Sequence, residues 1–324
     1  MSSLGEMRSM AIAKQQRRAA KQAGLSRPKE KRDNLAGFLF LAPWLVGLVA
    51  FTLVPMLASL WFSFTNYNLL KSPLKSPPTF IGFDNYIQMF QDSEFWNSLR
   101  VTLVYVVTAV PLQLVVALAL AVLLDRGMRG LSFYRSVFYL PSLLGGSVAV
   151  SILWRQLFAK DGLLNNFLAL FGINAPGWIG HPDYALWTLV LLHVWTFGSP
   201  MVIFLAGLRQ IPEMYHEAAE MDGAGKWRRF FTITLPLLTP IIFFNLVLQI
   251  IFAFQTFTQA YVISGGTGGP ADSTMFYSLL LYRVGFLEYH MGYASAMAWF
   301  LVVVIGVFTA INFRLSKYWV FYDD

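Results

Sequence analysis

Six long apolar runs dominate this chain of 324 residues and limit the folds open to it. Each run approaches or exceeds the roughly 20 residues that a helix needs to cross a hydrocarbon core about 30 Å thick. None shows the strict alternation of apolar and polar residues that marks the strands of a membrane β-barrel. We therefore predict an all-α, polytopic transmembrane bundle of six spans, at about 36–63, 98–124, 137–158, 185–208, 237–263 and 291–313.

The composition supports a lipid environment. Hydrophobic residues make up 56% of the chain and charged residues 13%, whereas a soluble domain carries roughly a quarter charged residues. The absence of cysteine from the sequence excludes disulfides, iron–sulfur clusters and thiolate zinc sites. The four histidines are scattered rather than set at metal-ligand spacing, so we predict neither a metal site nor a catalytic site.

The distribution of Lys and Arg predicts the orientation of the bundle. Residues 1–34 carry nine of them, without the apolar segment of a cleavable signal peptide. We expect a disordered basic tail there that anchors the chain at the membrane, followed by the membrane domain at 35–324. Six spans place both termini and the loops 125–136 and 209–236 on one side, which then holds 18 of the 24 Lys and Arg. Because such an excess marks the cytoplasmic side, both termini are predicted to be cytoplasmic.

The loops on the other side are predicted to be short caps. The 64–97 loop contains Pro77-Pro78, and the 159–184 loop is rich in turn residues, with one short helix at 163–170. The 264–290 loop opens with a glycine-rich run that cannot be helical. We expect no separate soluble domain.

Amide side chains cluster in the predicted fifth span. Residues 245, 249, 256 and 259 fall on one helical face, and three of them are Asn or Gln. Unpaired amides facing lipid would cost several kcal/mol. This face is therefore predicted to look at protein or at a wet cavity.

The 209–236 loop reads as a helical hairpin. Pro212 suits the first turn of a helix, and Gly223 suits the left-handed residue that ends it. A second, basic and aromatic helix is predicted at 226–234, with Pro236 starting the fifth span. On these grounds alone, an ordinary hairpin whose basic residues contact anionic lipid is as good an interpretation as a docking element.

The same loop carries a longer pattern that favours docking. The pattern is Glu217-Ala218-Ala219, three residues, Gly223, nine residues, Ile233, one residue and Leu235-Pro236. It resembles the EAA signature of the membrane subunits of binding-protein-dependent ABC importers. The resemblance implies a cytoplasmic hairpin that inserts its alanines into a cleft of an ATPase, bends at its glycine and pairs its first glutamate with a basic group. The implied docking residues are Glu217, Ala218, Ala219, Asp222 and Gly223.

The resemblance covers about residues 35–320 and narrows the family. Four further segments look like those of sugar-type permeases: FLFLAPW at 38–44, FIGFDNY at 80–86, Tyr134-Arg135-Ser136 with Leu140-Pro141, and Gly268-Gly269-Pro270. The chain resembles the first of the two permeases in carbohydrate importers of the maltose and glycerol-phosphate type. This implies a MetI-like core at about 98–313, without the large external domain and two extra spans of the maltose subunit.

The resemblance also implies partners and a location. These are a second permease, two copies of a cytoplasmic ATPase, a periplasmic or lipid-anchored solute-binding protein and membrane lipid, in a bacterial plasma membrane. The sequence lacks the G-x-x-x-x-G-K-[ST] phosphate loop, so ATP and Mg are expected to be used by the partner ATPase. We predict no cofactor in this chain, no nucleic-acid partner and no enzymatic activity.

For the transported solute, the resemblance implies contacts from the third, fourth and fifth spans. The implied residues are Ser142, Ser147, His193, Gly198, Phe254, Gln255 and Thr258. Each has a structural alternative, since Ser and Thr also bond helix backbones, Gly allows close packing and an aromatic residue fills a core. A neutral mono- or oligosaccharide is favoured over glycerol-3-phosphate, because no Lys or Arg lies near the middle of these spans to meet a phosphate.

Two other classes of protein stay open at this point. An ion-coupled secondary transporter is disfavoured, because proton-coupled carriers use carboxylates inside the membrane and none appears within the six predicted spans. A lipid-modifying membrane enzyme is disfavoured further, because no carboxylate or histidine cluster is set close to one membrane interface.

Overall fold

A computed structural model describes residues 30–71, 77–125 and 130–321 of the protein. The chain divides into two compact units, one ending at Ser59 and one beginning at Leu60. Most of the predicted basic tail lies outside the described residues. Helix α1 begins at Glu30, so the last residues of that predicted tail are helical.

Helix α1 runs over 30–62 and contains one wider turn. Regular helix at Glu30–Leu48 passes into a π-helical turn at Val49–Leu53 and then into Val54–Phe62. Pro55 follows this turn, and its ring would clash with the carbonyl four residues earlier in a regular helix. The π-turn widens the helix at that point, so the span continues past the proline.

The second unit is built of helices joined by loops. In chain order they are α2 (Asp84–Gln91), α3 (Ser93–Asp125), α4 (Leu131–Leu144), α5 (Val148–Leu157), α6 (Leu163–Ala169), α7 (Pro182–Trp195), α8 (Gly198–Leu208), α9 (Glu213–Met221), α10 (Lys226–Phe254), α11 (Thr258–Ser264), α12 (Tyr277–Leu287) and α13 (Met291–Trp319). Within the described ranges, extended pairing is limited to one isolated antiparallel bridge between Thr65 and Phe80. The all-α prediction is confirmed.

Helix α3 is the centre of this unit. It contacts α7, α8 and α10, and the alanines at 109, 117 and 121 on its packed face are fully buried. Small side chains let neighbouring helix backbones approach closely, which is the usual basis of packing between membrane helices. These three helices are therefore packed around one long helix.

The six predicted spans correspond to four long apolar helices and two bent pairs. Helices α3, α10 and α13 and the segment Phe38–Phe62 of α1 are each long and apolar enough to cross a membrane. The pairs α4–α5 and α7–α8, bent by 93° and 41°, complete six spans if each pair counts as one. The predicted spans at 137–158 and 185–208 thus correspond to interrupted helices.

The break between α4 and α5 has a local cause. Gly145 and Gly146 follow α4, and Ser147 caps α5 by accepting a hydrogen bond from the backbone N–H of Val150 at 3.3 Å. Glycine adds conformational freedom, and a serine cap satisfies a donor that a new helix start would leave free.

The predicted span at 237–263 has different bounds. Helix α10 starts eleven residues earlier than this span, at Lys226, and ends at Phe254, and α11 resumes at Thr258. The predicted helix at 226–234 therefore continues into the span, and Pro236 does not start it. A π-helical turn at Phe230–Thr234 precedes this proline, as the π-turn in α1 precedes Pro55.

The 264–290 segment contains a helix that the sequence did not predict. Its glycine-rich start is non-helical as predicted, with left-handed φ values at four glycines. Helix α12 follows, and Phe276, Tyr277, Leu279 and Leu280 at its start are buried. Its apolar run is too short to span a membrane, which is why hydropathy assigned it to a loop. The short helix predicted at 163–170 is confirmed as α6.

Replacing Gly198 by alanine is expected to destabilise the protein. An added Cβ would lie 2.6 Å from the carbonyl oxygen of Phe138 and 2.8 Å from Ser142 Oγ, so α4 and α8 would have to move apart. Overpacking of this kind costs about 1–3 kcal/mol. Gly306→Ala is the matched control, since nothing lies within 4 Å of its added Cβ. Thermal unfolding in detergent measures both variants, and equal Tm values would contradict the packing argument.

Candidate functional site

The three helix breaks in the second unit meet at one cavity of about 560 Å³. They follow α4, α7 and α10, and α3 contributes Gln113 from near the middle of its 33 residues. Most of the cavity wall is polar. The lining residues are Gln113, Ser142, Gly145, Gly146, His193, Thr196, Ser199, Gln249, Phe252, Gln255, Thr256, Phe257, Thr258 and Gln259.

Thr196, at the break between α7 and α8, is the centre of a hydrogen-bond network. Gln113 Nε2 donates to the carbonyl oxygen and to Oγ1 of Thr196, both at 3.0 Å. Ser142 Oγ donates to the same carbonyl at 2.8 Å and accepts from the backbone N–H of Ser199 at 2.8 Å. Inside a membrane an unpaired backbone carbonyl is costly, so these side chains make the break possible.

Backbone carbonyls at the other two breaks also accept hydrogen bonds from side chains. Gln259 Nε2 donates to the carbonyl oxygen of Gly145 at 3.2 Å, which joins α11 to the end of α4. Ser278 of α12 donates to the carbonyl oxygen of Thr256 at the end of α10. A Cβ at Gly145 would collide with the Thr196 side chain, so only glycine allows these two breaks to touch. The cavity is therefore held by contacts between distant parts of the chain.

Two polar atoms of the lining residues are buried without a partner. Within the described part of the chain, Gln113 Oε1 and His193 Nε2 have no hydrogen-bond partner. The His193 ring packs edge-on against Tyr105, with ring centroids 5.5 Å apart. Two aromatic residues, Phe252 and Phe257, also line the cavity. Amides, hydroxyls, an imidazole and aromatic rings together suit a neutral solute with several hydroxyl groups, because they offer hydrogen bonds and apolar faces without net charge.

Four of the seven predicted solute-contact residues line the cavity. They are Ser142, His193, Gln255 and Thr258. Ser147 instead caps α5, and Gly198 provides the close approach of α8 to α4. Phe254 is only 1% exposed and packs on Phe308, with ring centroids 5.2 Å apart. The structure thus places Phe254 in the core, between the two aromatic residues that do line the cavity, Phe252 and Phe257.

The polar face predicted for the fifth span is divided by the break after Phe254. Gln249, Thr256 and Gln259 line the cavity, as the prediction of a wet surface requires. Asn245 does not: it is buried and donates to the carbonyl oxygen of Ile241 at 3.0 Å. Sequence analysis did not propose Gln113. A lone glutamine within a long apolar run was the signal available for it.

The hairpin after α8 presents an exposed helix. Pro212 precedes α9, and the chain turns at Gly223 with φ 75°, a left-handed value that glycine adopts at little cost. The backbone N–H of Ala224 closes the turn by bonding the Ala219 carbonyl at 2.9 Å. Of the five predicted docking residues, Glu217, Ala218, Asp222 and Gly223 are exposed, and Ala219 is half-buried.

The two limbs of the hairpin are joined by an ion pair. Arg229 Nη1, at the start of α10, lies 2.8 Å from Glu220 Oε2 on α9. The same guanidinium donates to the carbonyl oxygen of His216 at 3.4 Å. These contacts hold α9 in a fixed orientation relative to α10.

Comparison with known proteins agrees with this architecture. One relative is the probable ABC transporter permease protein YesP of Bacillus subtilis (strain 168), which is 53% identical over 91% of this chain and 94% of that protein. Another is the lactose transport system permease protein LacF of Rhizobium radiobacter, which is 33% identical over 91% of this chain and 99% of that protein. The fold matches a chain in the crystal structure of a bacterial alginate ABC transporter in complex with an alginate pentasaccharide-bound periplasmic protein, with a TM-score of 0.73, 20% identity and coverage of 89% of this chain and 95% of that chain.

Residues 36–319 match the family described as the inner membrane component of binding-protein-dependent transport systems. The match covers every described span, the cavity and the hairpin, so the chain is a multi-pass membrane protein of that family. The chain belongs to the permease subunits of binding-protein-dependent ABC transporters.

Proposed function

We propose that this chain is one of two permeases in an importer that takes up a neutral mono- or oligosaccharide across a bacterial plasma membrane. Its partners are a second permease, two copies of a cytoplasmic ATPase, and a periplasmic or lipid-anchored solute-binding protein. Both termini and the α9 hairpin face the cytoplasm. The chain itself is not catalytic and holds no cofactor, and ATP and Mg are used by the ATPase. The observation that carries the proposal is the polar cavity at the junction of three broken helices.

The lining of the cavity favours a neutral sugar. Among the described residues at its wall, none is Asp, Glu, Lys or Arg. Gln113 and His193 line the cavity and each has one buried polar atom without a partner, Oε1 and Nε2, which a rotation of the side chain would turn toward a sugar hydroxyl. The apolar side of a pyranose ring would fit against Phe252 or Phe257. Transport of glycerol-3-phosphate or a related polyol is the alternative, and it would need a cation from the second permease to meet the phosphate.

The continuous helix α10 provides a mechanical link between the hairpin and the cavity. It spans 29 residues from Lys226 to Phe254, which corresponds to roughly 43 Å at 1.5 Å per residue. Its first turn is fixed to α9 through Arg229 and Glu220, and its last residues adjoin the cavity break. A displacement of α9 by the ATPase would therefore move one wall of the cavity.

The other two classes of function have less support. A proton-coupled carrier would need a carboxylate within the spans. In α3 the acidic residues, Glu94 and Asp125, lie at its two ends. A metal-dependent membrane enzyme would need clustered ligands, and no such cluster occurs among the described residues.

The deciding experiment is charge reversal at Glu217. We expect Glu217→Lys to abolish co-purification of the ATPase with the permease, because the exposed glutamate would then repel the basic group it is proposed to meet. Membrane insertion, followed by protease protection, should be unchanged. Retained ATPase binding would argue against the docking role. Uptake by vesicles containing this chain alone, driven by an ion gradient, would refute the importer.

The turn after α9 gives a more selective test. Gly223→Val forces a branched side chain into a left-handed conformation, at a cost of roughly 1–2 kcal/mol. Gly225→Val is the matched control, because Gly225 has φ −67° and both positions have open space around an added Cβ. We expect Gly223→Val to weaken ATPase association several-fold and Gly225→Val to leave it near wild type. An equal loss of ATPase association in the two variants would mean that the left-handed turn at Gly223 does not determine docking.

Substitution of His193 tests the sugar site. The probe is the sugar that most raises the Tm of the solute-binding protein that is proposed as this importer's partner. His193→Phe keeps a ring against Tyr105 but removes Nε2, and losing one hydrogen bond of about 0.5–1.5 kcal/mol should lower apparent affinity in uptake assays by roughly 2- to 13-fold. His181→Phe, at the start of α7 and outside the cavity, is the control. An unchanged uptake curve for His193→Phe would exclude this contact.

A further inference from the structure

A second cavity, of about 910 Å³, lies between the last part of α3 and the first turns of α10. Its walls are mainly apolar and include Val115, Leu118 and Val122 of α3 and Trp227 and Phe230 of α10. Val115 is 65% exposed and Leu123 is 46% exposed, so the groove is open near both ends of its wall on α3. Neither the proposed solute path nor the proposed docking of the ATPase uses this groove.

The groove is separate from the solute cavity. Gln113 lines the solute cavity and Val115 lines the groove. Two residues along a helix correspond to a rotation of about 200°, so the two surfaces lie on opposite sides of α3. A molecule in the groove would therefore not lie in the solute path.

The length of the groove matches one leaflet of a bilayer. Its wall on α3 extends from Val115 to Asp125, the last residue of that helix, which is roughly 15 Å of helix. Half of a hydrocarbon core of about 30 Å is also about 15 Å. The apolar wall thus has the length of one acyl chain, and the charged end of the groove lies where a headgroup would be.

Among the described residues, the ion pairs at this end leave one lysine without an acidic partner. Asp125 pairs with Arg209 at 3.6 Å, and Arg229 pairs with Glu220 at 2.8 Å. Lys226 also lines the groove, and in the described part of the chain it takes part in no ion pair. A single phosphate would complement this charge.

The aromatic residues beside Lys226 fit the same location. Trp227 is 77% exposed and stacks on Phe231, which is 58% exposed, with ring centroids 6.4 Å apart. Exposed tryptophan next to lysine at the end of a span is typical of the membrane–water interface. This end of α10 therefore has the composition of a headgroup-level surface.

We propose that this groove binds one anionic phospholipid, with an acyl chain along Val115, Leu118 and Val122 and the phosphate at Lys226. The lipid would fill the space between α3 and the base of the hairpin. Binding there would stabilise the angle at which α9 meets the ATPase, because Trp227 and Arg229 of the groove wall belong to the same turn of α10. The inference needs only that α3 and α10 span a membrane, and it does not depend on the identity of the solute.

Lipid binding is measured by native mass spectrometry of the assembled importer, titrated with phosphatidylglycerol or phosphatidylcholine of identical acyl chains. We expect tighter binding of phosphatidylglycerol. Lys226→Gln should weaken that binding about fivefold, the effect of roughly 1 kcal/mol per cation near an anionic headgroup, and leave phosphatidylcholine unchanged. Arg228→Gln removes a neighbouring cation that does not line the groove, and it should change binding less than twofold.

The apolar wall is tested separately. Ala119→Trp places a large side chain in the groove and should reduce tight binding of both lipids, with thermal unfolding used to verify that the variant is folded. A photo-crosslinking residue at position 118 in the otherwise native chain should capture lipid, and it provides the answer if Ala119→Trp does not fold. Equal losses for Lys226→Gln and Arg228→Gln would indicate diffuse surface charge and overturn the proposal. Crosslinks to the partner permease or to another part of this chain would assign the groove to protein and also overturn it.

Discussion

The structure depends on one constraint, that every backbone N–H and C=O inside a membrane needs a partner. Regular helices meet this requirement within themselves, and a break in a helix does not. In this chain the breaks after α4, α7 and α10 converge, and their freed carbonyls accept hydrogen bonds from side chains of other helices. Gln113, Ser142, Gln259 and Ser278 are those donors. The polar cavity is thus a consequence of the way the breaks are satisfied.

The same constraint explains what the sequence could predict. Total apolarity located the spans but not the bounds of the fifth, because it counts side chains and ignores whether a helix is continuous. Glycine and proline occur in unbroken membrane helices as well as at breaks, so neither Gly145 nor Pro236 predicts by itself whether a helix is interrupted. Gly145 lies at a break, whereas Pro236 lies inside a helix that continues through a π-turn before it. The hairpin was predicted in detail, because its turn needs a left-handed residue and glycine supplies it at 223.

The members of the cavity were harder to predict, for two reasons. A helical wheel for the fifth span assumes a constant rotation per residue, and that assumption fails after Phe254. The prediction of Phe254 itself came from the resemblance, and the aromatic residues at the cavity are Phe252 and Phe257. In addition, the partner of Gln113 is Thr196, which is 83 residues away in sequence. Such a pair has no local pattern, and only the packing of α7 and α8 around α3 brings it together.

Helices α3 and α10 therefore have different structural roles. Helix α3 presents Gln113 to the polar cavity and Val115 to the apolar groove, so it separates a polar surface from an apolar one by its rotation alone. Helix α10 connects the hairpin to the cavity and has no break between Lys226 and Phe254. Within α10 the regular helix is interrupted at the π-turn of 230–234, and Pro240 lacks the backbone donor of a regular helical residue. The break of 255–257 differs from both, because side chains hold the carbonyls around it, Gln259 that of Gly145 and Ser278 that of Thr256. A displacement of α10 of the kind we propose would therefore reach these contacts, which involve residues that line the cavity.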